Sequence, residues 1–206
     1  MYGSSSRGLL KPRVDFMSIS LLVLGISSFL FHASLRQALQ FADEISMLGL
    51  AWSLLQGIAT VRTSSANKKY IEACLATVFP LFSVFYVWTG KIIYHVSGFA
   101  SVIVLIVIRG HYLFHWLEPP LPIAKRAGWR SRGRNALIML LVGYLLWNID
   151  LEYCAELRKL RQRIGMPWAS FLELHGWWHI LTAISASQFM DIVRELRREA
   201  AEEKAD

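Results

Sequence analysis

Charge is what this 206-residue sequence has least of. Asp, Glu, Lys and Arg make up 18% of it, against 54% hydrophobic residues, and the mean hydropathy is positive. Soluble domains carry about 25% charged residues, so the deficit excludes an ordinary water-soluble fold. No internal repeat is visible, and no stretch has the composition of a soluble domain. Arg7, Lys11 and Arg13 precede the first apolar run, as in a secretory signal. That run is longer than a signal core and lacks a clear small-residue cleavage site, which argues against removal.

What is abundant arrives in blocks. Ile45–Val61 and Ile92–Ile108 are each 17 residues without a charge, and Ala73–Thr89 is another such run, broken only by Pro80. Phe16–Leu35 has His32 as its only ionisable group, Ala136–Ile149 extends towards Cys154, and Phe171–Met190 carries Glu173 near its start. Lengths of this order suit a hydrocarbon layer of about 30 Å. The expectation is an all-α integral membrane protein, a bundle of six transmembrane helices. Segment 1–14 precedes a polytopic domain over 15–193, and 194–206 forms a charged, helical tail. The basic stretch Pro119–Arg134 is expected to be a solvated loop.

The net charge of +7 invites a nucleic-acid reading, but its distribution does not support one. With six alternating spans, the N-terminal side holds 16 Lys and Arg, from Arg7 to Lys204. The opposite side holds 6: Arg36, Lys91, Arg158, Lys159, Arg161 and Arg163. By the positive-inside rule the N-terminal side, with the C-terminus, is cytosolic. The basic charge sets topology and needs no partner beyond anionic headgroups.

Ionisable groups inside spans are costly and mark function. Ser28 and His32 close span one, Asp43 and Glu44 open span two, and Glu173, His175 and His179 open span six. All sit on the non-cytosolic side. Ser28/His32 and His175/His179 are each four apart and share a helix face. Three imidazoles with a water in the fourth position is a common hydrolytic zinc arrangement. There Asp43 would orient the water or move its proton, and Ser28 would stabilise an oxyanion. The His175/His179 pair by itself is also compatible with haem ligation or plain packing. His111 and His115 are four apart too, but on the cytosolic side, where they belong to the interfacial belt with Tyr112 and Trp116. His95, with no same-face partner, is expected to be interfacial. Trp177 and Trp178 read as packing anchors. Glu44 and Glu173 are either partners of the histidines or residues at the wet end of a helix.

Three blocks, "GISSFLFHASLRQALQFADEISM", "WNIDLEYC" and "LELHGWWHILT", resemble the alkaline ceramidase family of membrane amidases. They run in order from Gly25 to Thr182, and the wording is nearer to fungal-type members than to the related adiponectin-receptor-like hydrolases. The resemblance implies that His32, His175 and His179 bind zinc, with Asp43 handling protons and Ser28 stabilising the oxyanion. It implies hydrolysis of the ceramide amide to a sphingoid base and a fatty acid, in the endoplasmic reticulum or Golgi membrane, with the site in the lumenal half. Two alternatives stand beside it: a non-catalytic paralogue with a structural zinc, or a receptor-like hydrolase of another lipid.

One departure accompanies the resemblance. The family has seven spans and an acidic Asp-Trp-Cys-Glu motif in a calcium-binding N-terminal segment. Here "MYGSSSRGLLKPRVDF" leads directly into the family's second helix. The expectation is therefore a shortened chain, or a misassigned start, lacking the calcium site and one helix. The resemblance places the disulfide partner of Cys154 in that motif, which leaves Cys154 an odd thiol. Cys74 is expected to pack within span three.

Overall fold

The computed structural model describes residues 15–118 and 120–203. The segment 1–14, expected to lack the family's calcium motif, lies outside these residues, as does Lys204 of the tail. The described residues form seven α-helices and one short 3₁₀ helix, with no strand. They are α1 (Phe16–Ser34), α2 (Gln37–Ala59), α3 (Ser65–Thr89), α4 (Ile92–His115), α5 (Ile123–Glu152), α6 (Cys154–Ile164) and α7 (Leu174–Glu202). The 3₁₀ helix, Trp168–Leu172, precedes α7. The chain divides into two compact units, the first ending at Arg109 and the second beginning at Gly110.

In the first unit, α1 starts on Asp15, whose carboxylate accepts the Ser18 backbone N–H at 2.8 Å. Its end is set by Leu35, a non-glycine residue in the left-handed region (φ 53°) whose N–H returns to the Phe31 carbonyl. With α2 starting at Gln37, the turn is too short for anything but an antiparallel hairpin. A Ser46–Ser27 hydroxyl contact of 3.1 Å fixes its register.

The inner element is α2, with ten buried residues. Phe79 of α3 stacks on Trp52 at 4.7 Å. Both ends of α2 are tied to α4. His95 Nε2 lies 3.0 Å from the Glu44 carbonyl, and the Arg109 guanidinium donates to the carbonyls of Ala59, the last residue of α2, at 3.4 Å and of Val61, just past it, at 2.9 Å. Helix C-terminal carbonyls have no intrahelical donor, so Arg109 supplies one and places a cation at the negative end of the helix dipole.

The second unit is built on α5 and α7. Residues 123–134 are not the expected loop but the first turns of α5. Their cations are matched by α7 carboxylates: Lys125 meets Glu199 at 2.5 Å, while Arg132 forms a bidentate pair with Glu195. Trp129 Nε1 also donates to Glu195, at 2.6 Å. Further along, the Ser185 hydroxyl donates to the Ala136 carbonyl at 2.7 Å. At Gly143 a Cβ would come within 3.2 Å of Trp178 Cε3 and 3.3 Å of Leu181 Cβ, so the close approach of α5 and α7 depends on that glycine.

Four helices, α1, α3, α4 and α5, are long and apolar enough to cross a membrane. The second and sixth expected spans, α2 and α7, fall outside that group. Gln37, Gln40, Asp43, Glu44 and Gln56 dilute α2, and α7 ends in a charged third. A helix buried among others meets protein rather than lipid along much of its surface, so its polar residues need partners, not removal. Cys74 is exposed on α3 instead of packed, and both cysteines are free among the described residues.

The Arg132 guanidinium, aided by Trp129, holds the Glu195 carboxyl below its ordinary value of 4.5. A depressed folded-state value stabilises the fold above the ordinary value, and the contribution disappears as pH falls through the lower one. Thermal unfolding across pH is expected to show wild type more stable than Glu195→Gln above pH 4.5, the two converging in stronger acid. Separately, Arg109→Met should lower stability by about 1–3 kcal/mol by leaving the α2 carbonyls without a donor. Denaturant or thermal melts of the reconstituted protein would measure it.

Candidate active site

Consecutive residues on a helix point about 100° apart. Asp43 and Glu44 therefore face different neighbours, and the first unit gives each its own. Asp43 looks towards α1, where the hairpin brings the Ser28 hydroxyl into hydrogen-bonding contact and His32 within electrostatic reach. Ser28, His32 and Asp43 are thus assembled by one tight turn. Asp43 is buried, and its Oδ1 has no hydrogen-bond partner within the protein. A buried carboxylate oxygen left unpaired costs about 1–3 kcal/mol or more, which a proton donor brought by a ligand would relieve.

Glu44 turns the other way. Its carboxylate takes a very short hydrogen bond from the Tyr86 hydroxyl of α3 and another from Gln40 Nε2 at 3.1 Å. Its backbone carbonyl faces His95. Glu44 is buried, so it is neither a wet helix end nor short of donors. His95 is buried as well. Tyr86 and Gln40 are residues that the sequence did not single out, and the contact of His95 with Glu44 was not expected. A signal was there: a glutamate within an apolar helix demands donors at its own depth, and Tyr86 and His95 fall on that side when the spans are traced.

In the second unit, His175 and His179 occupy the first turns of α7. Their Nε2 atoms face each other at 3.0 Å with the rings at 81°. Zinc takes imidazole nitrogens at about 2.0–2.1 Å in a tetrahedron, which puts two donors about 3.3 Å apart. The pair fits one small ion. A haem axial pair must face across a macrocycle, and nitrogens 3.0 Å apart leave no room for one. His111 and His115 make the contrast: their rings stack at 4.1 Å and 16°, and His115 Nδ1 is engaged by the His111 carbonyl. Parallel stacked rings do not converge their nitrogens on one point.

The histidine pair is held from behind. Trp178, between them in sequence, is buried and stacks on Trp147 at 5.8 Å, with Tyr144 edge-on at 6.3 Å. Trp177 points elsewhere, donating to the Phe171 carbonyl at 3.1 Å. Glu173 is exposed and paired with Arg161 at 2.5 Å, so it is the wet end of a helix and no partner of His175. In "WNIDLEYC", Asp150 Oδ1 is buried and unpartnered, a second such carboxylate oxygen beside that of Asp43.

An all-α integral membrane protein with a convergent histidine pair and a buried, half-satisfied carboxylate is the class these features define. The chain belongs to the ceramidase family, whose model matches residues 1–206. It is 28% identical to alkaline ceramidase 3 of Mus musculus over 184 residues, 87% of this chain and 65% of that protein. It is 27% identical to alkaline ceramidase YPC1 of Saccharomyces cerevisiae over 208 residues, 94% of this chain and 65% of that one. A putative alkaline ceramidase of Dictyostelium discoideum, dcd3A, is 23% identical over 190 residues, 85% of this chain and 62% of that protein. The chain thus spans a little under two thirds of the length of these relatives.

Tyr86→Phe is expected to lower stability by about 1–3 kcal/mol, because the Glu44 carboxylate loses a donor in a buried place. Gly143→Val should be at least as damaging, since its Cβ meets Trp178 and Leu181. Melting curves of the two variants against wild type check both.

Proposed function

We propose that the chain hydrolyses the amide bond of ceramides within the membrane, with zinc held by His32, His175 and His179. Family membership supports the reaction class, and the printed names of the relatives supply the substrate. The observation that carries the metal is the 3.0 Å approach of the His175 and His179 Nε2 atoms. His32 is offered as the third ligand because it ends α1 beside Asp43 and is four residues from Ser28 on one helix face.

Zinc, when bound, supplies an acidified water and polarises the substrate carbonyl. The protein's own groups do the rest. The unpartnered Asp43 oxygen accepts a proton from the attacking water as the new C–O bond forms. It returns that proton to the nitrogen as the C–N bond breaks, so the amine of the sphingoid base leaves neutral. Ser28 donates its one hydroxyl proton to Asp43 at rest; once Asp43 has taken up the water proton, that hydroxyl is free to turn and donate to the oxygen that becomes negative on the carbonyl carbon. The other product is the free fatty acid. In this reading α2 and α7 also cross the membrane, the site lies in the lumenal half of an endoplasmic reticulum or Golgi bilayer, and the C-terminus is cytosolic.

Protein reconstituted in nanodiscs is expected to hold about one zinc ion per chain, lost in His175→Ala. It should convert ceramide to both products by mass spectrometry. Asp43→Asn should keep the zinc and lose turnover by about 10²–10⁴-fold. Zinc-loaded protein that leaves every ceramide intact, while a wider lipid panel is also untouched, would replace this reading with a structural zinc.

A further inference from the structure

The segment between α5 and α7 has no part in the proposed chemistry, yet its pattern is specific. Tyr153, Leu157, Leu160 and Ile164 recur at intervals of four, three and four, which is one stripe of a helix. At 100° per residue, Arg158, Lys159 and Gln162 lie on the opposite face, with Arg161 on one border and Arg163 and Glu156 on the other. Nothing in α6 is buried. The apolar stripe continues past Gly165, which needs its left-handed backbone (φ 71°) to redirect the chain. Tyr153, Leu160, Ile164, Met166, Trp168 and Phe171 are 42–78% exposed.

These residues are not loosely placed. Trp168, Phe171 and Trp177 stack in a ladder at 6.1 and 6.4 Å, and Arg161 binds Glu173. An ordered apolar surface backed by a cationic face has to be covered by something. Its depth is fixed covalently: α6 starts at Cys154, directly after α5, one of the helices long and apolar enough to cross a membrane. A stripe at the mouth of a span meets the acyl–headgroup boundary, where Trp, Tyr and Arg are most stable.

We infer that α6 and the Trp168–Leu172 turn form an in-plane anchor on the leaflet surface. The anchor inserts Leu160, Ile164, Met166, Trp168 and Phe171 among the acyl chains and lays its cationic face along the lipid phosphates. The occupant is the lipid surface because Arg158, Lys159 and Arg163 lie on the polar side of the apolar stripe, the arrangement that matches phosphate above hydrocarbon. A protein partner would need no such border. The consequence is positional: the anchor ends at Leu172, so the first turns of α7, with His175, are pinned to the height of the interface. The inference rests on α6 and holds whether or not the chain hydrolyses ceramide.

Spin labels decide it in the full chain, with Cys74→Ser and Cys154→Ser as background, in nanodiscs of phosphatidylcholine and phosphatidylglycerol. One label is placed at Met166→Cys, another at Lys159→Cys. The label at 166 is expected to collide severalfold more with oxygen than with a water-soluble nickel chelate, and the label at 159 to show the reverse preference. A label at 166 as open to the chelate as that at 159 would make the segment a solvated loop. One shielded from both reagents would mean that protein covers it. Either outcome overturns the anchor. Circular dichroism of each labelled variant confirms that the helices are kept.

Discussion

An ionisable side chain in an apolar helix bundle must find a partner at its own depth, and the first unit is arranged around that constraint. Two adjacent carboxylates on α2, Asp43 and Glu44, project about 100° apart and impose two different neighbourhoods. Glu44 is fully answered by Tyr86 and Gln40, with His95 against its backbone, so α3 and α4 are drawn to one end of α2. Asp43 is answered by half: Ser28 on one side and an unpartnered oxygen on the other. The satisfied carboxylate is structural. The other is buried with one oxygen unpartnered, which is the observation behind its proposed role.

The second unit solves a different problem, holding two imidazoles with convergent nitrogens. Rings four apart on a helix are free to stack, as His111 and His115 do. His175 and His179 instead stand edge to face with Nε2 atoms opposed. Their helix is fixed along α5 by the Glu195 clamp, the Ser185–Ala136 hydrogen bond, the contact at Gly143 and the Trp178–Trp147 stack. Each lies at a different height, so α7 has little freedom to roll. The aromatic anchor before Leu174 is the same device at the remaining end.

Much of this was legible along the chain. The hairpin contact of Ser28 with Asp43 follows from a helix ending near Ser34 and another starting near Gln37, which leaves no room for other topologies. The separate standing of His111/His115 was expected from their place at the far end of their span from His95. The partners of Glu44 were not read, because a hydrogen bond between Tyr86 and a residue 42 positions away leaves no periodic trace. Residues 123–134 looked like a loop because their charge is high. They are helical because Lys125 and Arg132 meet Glu199 and Glu195 on α7. The tail supplies those acids, and local composition does not show such pairings.

Sequence by itself determined the class of the molecule, the helical faces of its histidines and the amphipathic stripe of α6, since these depend on composition and on a fixed 3.6-residue period. Tertiary structure alone decided which carboxylate is satisfied and which keeps an unpartnered oxygen, that His95 is buried, and that the His175/His179 rings converge while the His111/His115 rings stack. The physical reason is the same in each case. Periodicity fixes the direction in which a side chain leaves its helix, but its hydrogen bonds and ring orientation depend on what a second helix brings to that spot.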